Sequence, residues 1–151
     1  MAITLEKVVP FGRSLEEYRR MFSLSANDLK KRIVGVGDGP ASFNAEMNEL
    51  GNRVTSIDPV YVFSATEIEG QFKAVVDRII DQVKATPGDW VWSYHSSPDA
   101  LKQARIEVAN TFRKDYEKGK IEGIFGGSEG IEKVNTAEHA NQVIKFWNLK
   151  M

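Results

Sequence analysis

The chain has 151 residues, 20 Lys and Arg against 21 Asp and Glu, no Cys, and 42% hydrophobic residues. That length suits one domain with its own buried core. The lack of cysteine excludes disulfide frameworks, zinc–cysteine sites, iron–sulfur clusters and cysteine nucleophiles. The formal charge is −1, with 9 basic and 10 acidic residues up to position 75 and 11 of each beyond it. No basic arm exists, so no nucleic-acid partner is expected. Lys30-Lys31-Arg32, the densest basic run, reads as a solvated edge. The N-terminus has no apolar leader, and the apolar runs fall far below the ~20 residues that span a bilayer. A cytoplasmic chain with no membrane association is expected.

In chain order, Ser14-Leu15-Glu16-Glu17 is a capping box that opens a short helix to about Phe22. Ser25 with Asp28 repeats the pattern. Ile33, Val34 and Val36 read as a buried strand running into Gly35, Gly37 and Gly39. Ser42 is placed to cap a helix from about Phe43 to Leu50, which Gly51 ends. Arg53 to Ile57 is the next strand, stopped by Asp58-Pro59. Residues 32–58 thus spell a βαβ unit with an expected right-handed crossover.

Ser64 and Glu67 form another capping box. It opens a helix to about Lys84 whose Ile68, Phe72, Val75, Val76, Ile79, Ile80 and Val83 share one face. Trp90-Val91-Trp92-Ser93-Tyr94 is either a short strand or an irregular packed segment. Ser97-Pro98 starts a helix with Leu101, Ala104, Val108, Ala109, Phe112 and Tyr116 inward. Ile121 to Phe125 is a candidate third strand. Thr136 is expected to open a last helix, 136–148, with Ala140, Val143, Ile144 and Trp147 on one face.

The glycine cluster Gly35-Val36-Gly37-Asp38-Gly39 carries the most chemistry. A glycine turn between strand and helix brings backbone N–H groups close to a ligand. The dinucleotide pattern G-x-G-x-x-G/A would need Gly or Ala where Pro40 stands, which disfavours NAD-type binding. Asp58 ends the second strand, 19 positions beyond Gly39, where a carboxylate can accept both hydroxyls of a ribose.

Arg32-Ile33-Val34-Gly35-Val36-Gly37-Asp38-Gly39 together with Val54-Thr55-Ser56-Ile57-Asp58 resembles motifs I and II of class I S-adenosylmethionine-dependent methyltransferases. The stretch from Pro10-Phe11-Gly12-Arg13 through Asp58-Pro59 and Phe63-Ser64 is similar to a bacterial group in that superfamily. The resemblance implies an α/β, Rossmann-like fold with S-adenosylmethionine as cofactor. It places Gly35, Gly37, Asp38, Gly39, Asp58 and Pro59 at the cofactor, Asp58 on the ribose hydroxyls, and a small-molecule methyl acceptor nearby. Residues 1–31 would be an N-terminal helical lid, with Phe11, Arg13 and Tyr18 over the cofactor. Residues 32–125 would be a partial nucleotide-binding core, and 126–151 a divergent tail helix.

Ile33 stands where motif I often has an acid, and the superfamily's seven-stranded sheet exceeds what this chain supplies. A truncated sheet is therefore expected, with an exposed strand edge that the last helix covers or that pairs two copies into a homodimer. Methyl transfer needs no protein nucleophile, because the sulfonium already activates the methyl group, so no catalytic residue is singled out. A shortened, non-catalytic cofactor-binding or interaction module is the alternative, and an NAD-type binding module the second.

Gly126-Gly127-Ser128-Glu129-Gly130 matches G-x-S-x-G, but the 23 residues after Ser128 leave no room for a hydrolase sheet. His95 and His139 lie 44 positions apart with no metal-ligand spacing, so no metal is expected.

Overall fold

The computed structural model describes residues 10–127 and the backbone of 143–145. Among the described residues, five helices and four strands follow in the order α1 (Leu15–Phe22), α2 (Ala26–Leu29), β1 (Ile33–Val36), α3 (Phe43–Glu49), β2 (Val54–Ile57), α4 (Ala65–Ala85), α5 (Pro98–Ile121), β3 (Phe125–Gly126) and β4 (Val143–Lys145). Short 3-10 turns at Pro59–Val62 and Pro87–Asp89 flank α4. The class is α/β.

Helix starts follow the cap chemistry. Ser14/Glu17, Ser25/Asp28 and Ser64/Glu67 are complete capping boxes, each hydroxyl accepting the amide three residues on while the carboxyl side chain accepts the cap amide. Ser97 accepts the Ala100 amide, with Pro98 in the first turn. Ser42 makes no such cap. Its hydroxyl donates instead to Glu46 Oε2 at 2.7 Å, and that same oxygen accepts the Leu15 amide at 2.8 Å, tying the start of α1 to α3.

All strand pairs are parallel, in the order β3-β2-β1-β4. Ile33 lies opposite Val54, and Gly35 opposite Ser56. Side chains alternate along a strand, so these four share a face. Ile33 and Val54 on it join Tyr18, Leu29, Phe43 and Met47 in one core cluster, with the Tyr18 ring stacked on Phe43 at 4.3 Å. A second cluster gathers Tyr61, Phe112, Tyr116 and Phe125. A third joins α4 to α5 through Phe72, Val76, Ile80 and Leu101. Each such side chain stabilises the fold by roughly 1.5–3 kcal/mol when fully buried. Gly119 lets α5 lie against the strand edge, since a Cβ there would sit 2.6 Å from the Phe125 ring.

Three expectations need correction. The helix expected over 136–148 is not continuous, because Val143–Lys145 form a parallel strand beside β1. The β-branched Val143 and Ile144 suit a strand, and the pairing satisfies the β1 backbone. The remainder of that span lies outside the described residues. β1 therefore has a neighbour on both sides, and the sheet has a fourth strand where none was expected. Helix α5 runs on to Ile121, so the third strand is Phe125–Gly126 rather than a run from Ile121. Of the two alternatives for Trp90 to Tyr94, the irregular packed segment is the one observed: the indoles of Trp90 and Trp92 donate to Thr86 Oγ1 and the Pro87 carbonyl, at 3.2 Å each.

Of the segment expected as a lid, residues 1–9 lie outside the described residues, and α1 and α2 contribute Tyr18 and Leu29 to the first core cluster. No helix among the described residues is long and apolar enough to cross a membrane.

Candidate functional site

The strand β1 ends in the turn Gly37-Asp38-Gly39-Pro40. Gly37 and Gly39 have φ of 77° and 56°, left-handed values that glycine adopts without a Cβ clash. The turn is held from several sides. The Gly37 amide donates to the Ile57 carbonyl at 2.8 Å, and the Gly39 amide to Asp58 Oδ2 at 2.9 Å. The Tyr61 hydroxyl donates to the Gly39 carbonyl at 2.7 Å. These bonds fasten the end of β1 to the end of β2 and the residues that follow it.

Asp58 is fixed in turn. Its Oδ1 accepts the Val60 amide at 2.8 Å, while Oδ2 serves Gly39. A carboxylate offers about four lone-pair sites, so each oxygen keeps capacity for one more donor. Pro59 in the first position of the following 3-10 turn sets the angle at which the chain leaves Asp58.

Asp38 points away from solvent. It is 5% exposed, and its oxygens accept the Tyr18 hydroxyl at 3.0 Å and the Ser56 hydroxyl at 2.7 Å. Asn44 extends the network, donating to Ser56 Oγ and to the Val54 carbonyl at 3.1 Å each. Burial pushes the Asp38 carboxyl up to about 6, with the Asp58 charge adding to the rise and the two hydroxyl bonds opposing it. Burial, then the Asp38 charge, hold the Tyr18 and Tyr61 hydroxyls well above their ordinary range, so both remain donors.

A cleft of about 380 Å³ opens at this end of the sheet. Its lining comes from Pro10 and Phe11, from Gly37, Asp38, Gly39 and Pro40, from Asp58, Pro59, Val60 and Phe63, and from Gln71 of α4. Five of the six expected cofactor residues meet here. Gly35 does not line the cleft; it lies beneath, where its missing side chain leaves room for the Asp38 carboxylate. Of the expected lid residues, Phe11 lines the cleft, Tyr18 is buried under the turn, and Arg13 contributes its carbonyl to the Ser42 amide at 3.1 Å. Trp90, Trp92 and Tyr94 are not in the lining.

A buried ion pair stands behind the Pro10–Phe11 wall. Arg105 of α5, 4% exposed, donates to both Glu17 oxygens at 2.8 and 2.7 Å, and to the Gly12 carbonyl at 3.1 Å. His95 Nε2 lies 3.3 Å from Glu17 Oε1. Burial would raise the Glu17 carboxyl, but the hydrogen bonds and charge of Arg105 outweigh it and bring it down to about 2. Burial, then the Arg105 charge, hold the Arg13 guanidinium below its ordinary value.

Sequence reading missed Arg105 and Tyr61. Arg105 had a signal, since it falls in the stripe 101, 105, 108, 112, 116 that α5 buries. A charge on such a stripe asks for a buried partner. Tyr61 stands two residues after the Asp58-Pro59 stop, and nothing in its spacing marks it.

Over 124 residues, 82% of this chain, the sequence is 31% identical to Uncharacterized protein MJ0045 of Methanocaldococcus jannaschii. The match covers 56% of that protein, so the chain spans about half the length of the relative. No family model matches the chain, and no solved structure shows significant similarity to it.

Proposed function

We propose that the chain binds S-adenosylmethionine in the cleft between the 37–40 turn and Asp58, and presents its methyl group to a small-molecule acceptor as a Rossmann-like class I methyltransferase does. The observation that carries this reading is the charge of the lining: it holds the Asp58 carboxylate and no Lys or Arg among its described residues, the Asp38 carboxylate being turned inward onto Tyr18 and Ser56. Such a cleft favours a nucleoside that is neutral or cationic and repels one bearing a diphosphate. The sulfonium cofactor carries its positive charge next to its ribose, and NAD carries two negative phosphates at the corresponding distance.

The backbone supports the same choice. A phosphate cradle needs turn amides aimed outward. Here the Gly37 and Gly39 amides are spent on Ile57 and Asp58. The spare lone pairs of Asp58 suit the two hydroxyls of a ribose, and the apolar Val60 and Phe63 beside it suit a purine face. The strand order β3-β2-β1-β4 supports the Rossmann-like reading, because in open parallel sheets ligands bind outside the carboxyl ends of the strands near the reversal of strand order.

Methyl transfer from a sulfonium to a nucleophile requires alignment before anything else. The rigid turn and the pinned Asp58 supply alignment of the donor. Calorimetric titration with S-adenosylmethionine tests the binding, and incubation with methyl-labelled cofactor and a panel of small amines, thiols and phenols tests transfer. Binding without transfer to any acceptor would favour a non-catalytic cofactor module.

A further inference from the structure

One wall of the cleft, Pro10 and Phe11, belongs to a segment at 10–14 with neither helix nor strand. Without a backbone ladder, the position of such a strap depends on what grips it. The Ser42 amide holds the Arg13 carbonyl, and the Phe11 ring lies against Phe72 with centroids 5.6 Å apart. Gly12 sits so close to the Pro40 carbonyl that a Cβ would overlap it. The remaining grip comes from α5, where Arg105 donates to the Gly12 carbonyl while its fork holds Glu17 of α1.

A guanidinium can serve a carboxylate with two parallel bonds and a carbonyl with a further one, which an ammonium on a flexible stem cannot reproduce. A buried ion pair adds little net stability over an apolar pair of the same shape, and its best-attested use is to fix position. Here it fixes the residue that touches Pro40, the end of the glycine turn.

We propose that Arg105 is a positioning residue for the cleft: from α5 it clamps the 10–13 strap, and the clamp sets how tightly the cleft holds its ligand. The ligand half of this statement rests on the cofactor reading above; the clamp itself does not.

The test uses the full chain as wild type, Arg105→Lys, Gly12→Ala, their double variant, and Gln103→Ala as an exposed α5 control. Without ligand, the Ser42 amide reports the strap through its bond to Arg13, and the Ser56 amide, bonded to the Ile124 carbonyl, reports the sheet. Ser42 hydrogen exchange is expected to rise about tenfold or more in Arg105→Lys and Gly12→Ala, with Ser56 unchanged and the control like wild type. Unchanged Ser42 exchange in Arg105→Lys, or equal acceleration of Ser42 and Ser56, would overturn the clamp. If Arg105→Lys does not fold, Glu17→Gln, which loosens the fork, must accelerate Ser42 in the same way.

With S-adenosylmethionine as probe, each single variant is expected to bind about tenfold more weakly, and the double variant no more weakly than the worse single, as for two changes acting through one element. Additive losses would overturn the link between clamp and ligand. A wild type that does not bind the probe would refute the cofactor reading while leaving the exchange result to decide the clamp.

Discussion

The Asp38 carboxylate occupies the volume that a side chain on Gly35 would fill, with Ser56 Oγ donating to it at 2.7 Å from the neighbouring strand. A methyl on Gly35 therefore has to displace a buried, hydrogen-bonded carboxylate. Gly35→Ala should destabilise the chain by about 1–3 kcal/mol, the range for overpacking a tight site. Gly70, on the exposed side of α4 with open space around it, is the counterpart, and Gly70→Ala should stabilise by about 0.5–1 kcal/mol. Urea unfolding of both variants reads the opposite signs, and two shifts of the same sign would contradict this assignment.

Asp38 also makes stability depend on pH. Its carboxyl titrates at about 6 in the fold against an ordinary value of 3.8. The folded chain thus holds this proton more tightly than the unfolded chain. The resulting stabilisation is complete below about pH 3.8 and is lost as pH rises through 6, amounting to about 3 kcal/mol. Glu17 acts in the opposite sense: held at about 2 against 4.5, it contributes above pH 4.5 and loses that contribution as pH falls towards 2. Unfolding midpoints measured between pH 4 and 8 should decline in wild type and decline less in Asp38→Asn. Equal slopes would show that Asp38 is not the source.

Tyr61 couples the aromatic cluster to the glycine turn through its bond to the Gly39 carbonyl. Tyr61→Phe keeps the ring in the core and removes the hydroxyl that makes that bond. The expected loss of stability is about 0.5–1.5 kcal/mol, with a several-fold loss of S-adenosylmethionine affinity as the turn loosens. Thermal melting and titration of one variant measure both, and an unchanged affinity would show that the turn is held without Tyr61.

Much of this architecture was legible in the residues. Ser14, Ser25 and Ser64, each followed three positions later by an acid, marked three helix starts because the cap is a local hydrogen-bond exchange. The βαβ unit and the meeting of Gly37, Gly39 and Asp58 were legible for a similar reason, since strand–turn–helix–strand within 27 positions leaves few ways to arrange them. Val143–Lys145 read as helix because Ala140, Val143, Ile144 and Trp147 match a 3.6 period, while the pairing with β1 is a tertiary choice that a local window does not contain. The Asp38 side chain was placed at the cofactor and lies inward, because its hydroxyl partners Tyr18 and Ser56 come from 20 and 18 positions away. Arg105 and Glu17 are 88 positions apart, and only the folded chain brings them together.

Asp58 is the residue on which the cofactor reading turns, with both oxygens oriented by backbone amides and both still able to accept. Calorimetric titration of wild type and Asp58→Ala with S-adenosylmethionine, and of wild type with NAD, is the most direct test. Wild type should bind the sulfonium cofactor and not NAD, and Asp58→Ala should bind it about 10–100-fold more weakly, as for losing hydrogen bonds to a charged group. NAD binding by wild type, or S-adenosylmethionine binding by Asp58→Ala as tight as that of wild type, would contradict the account.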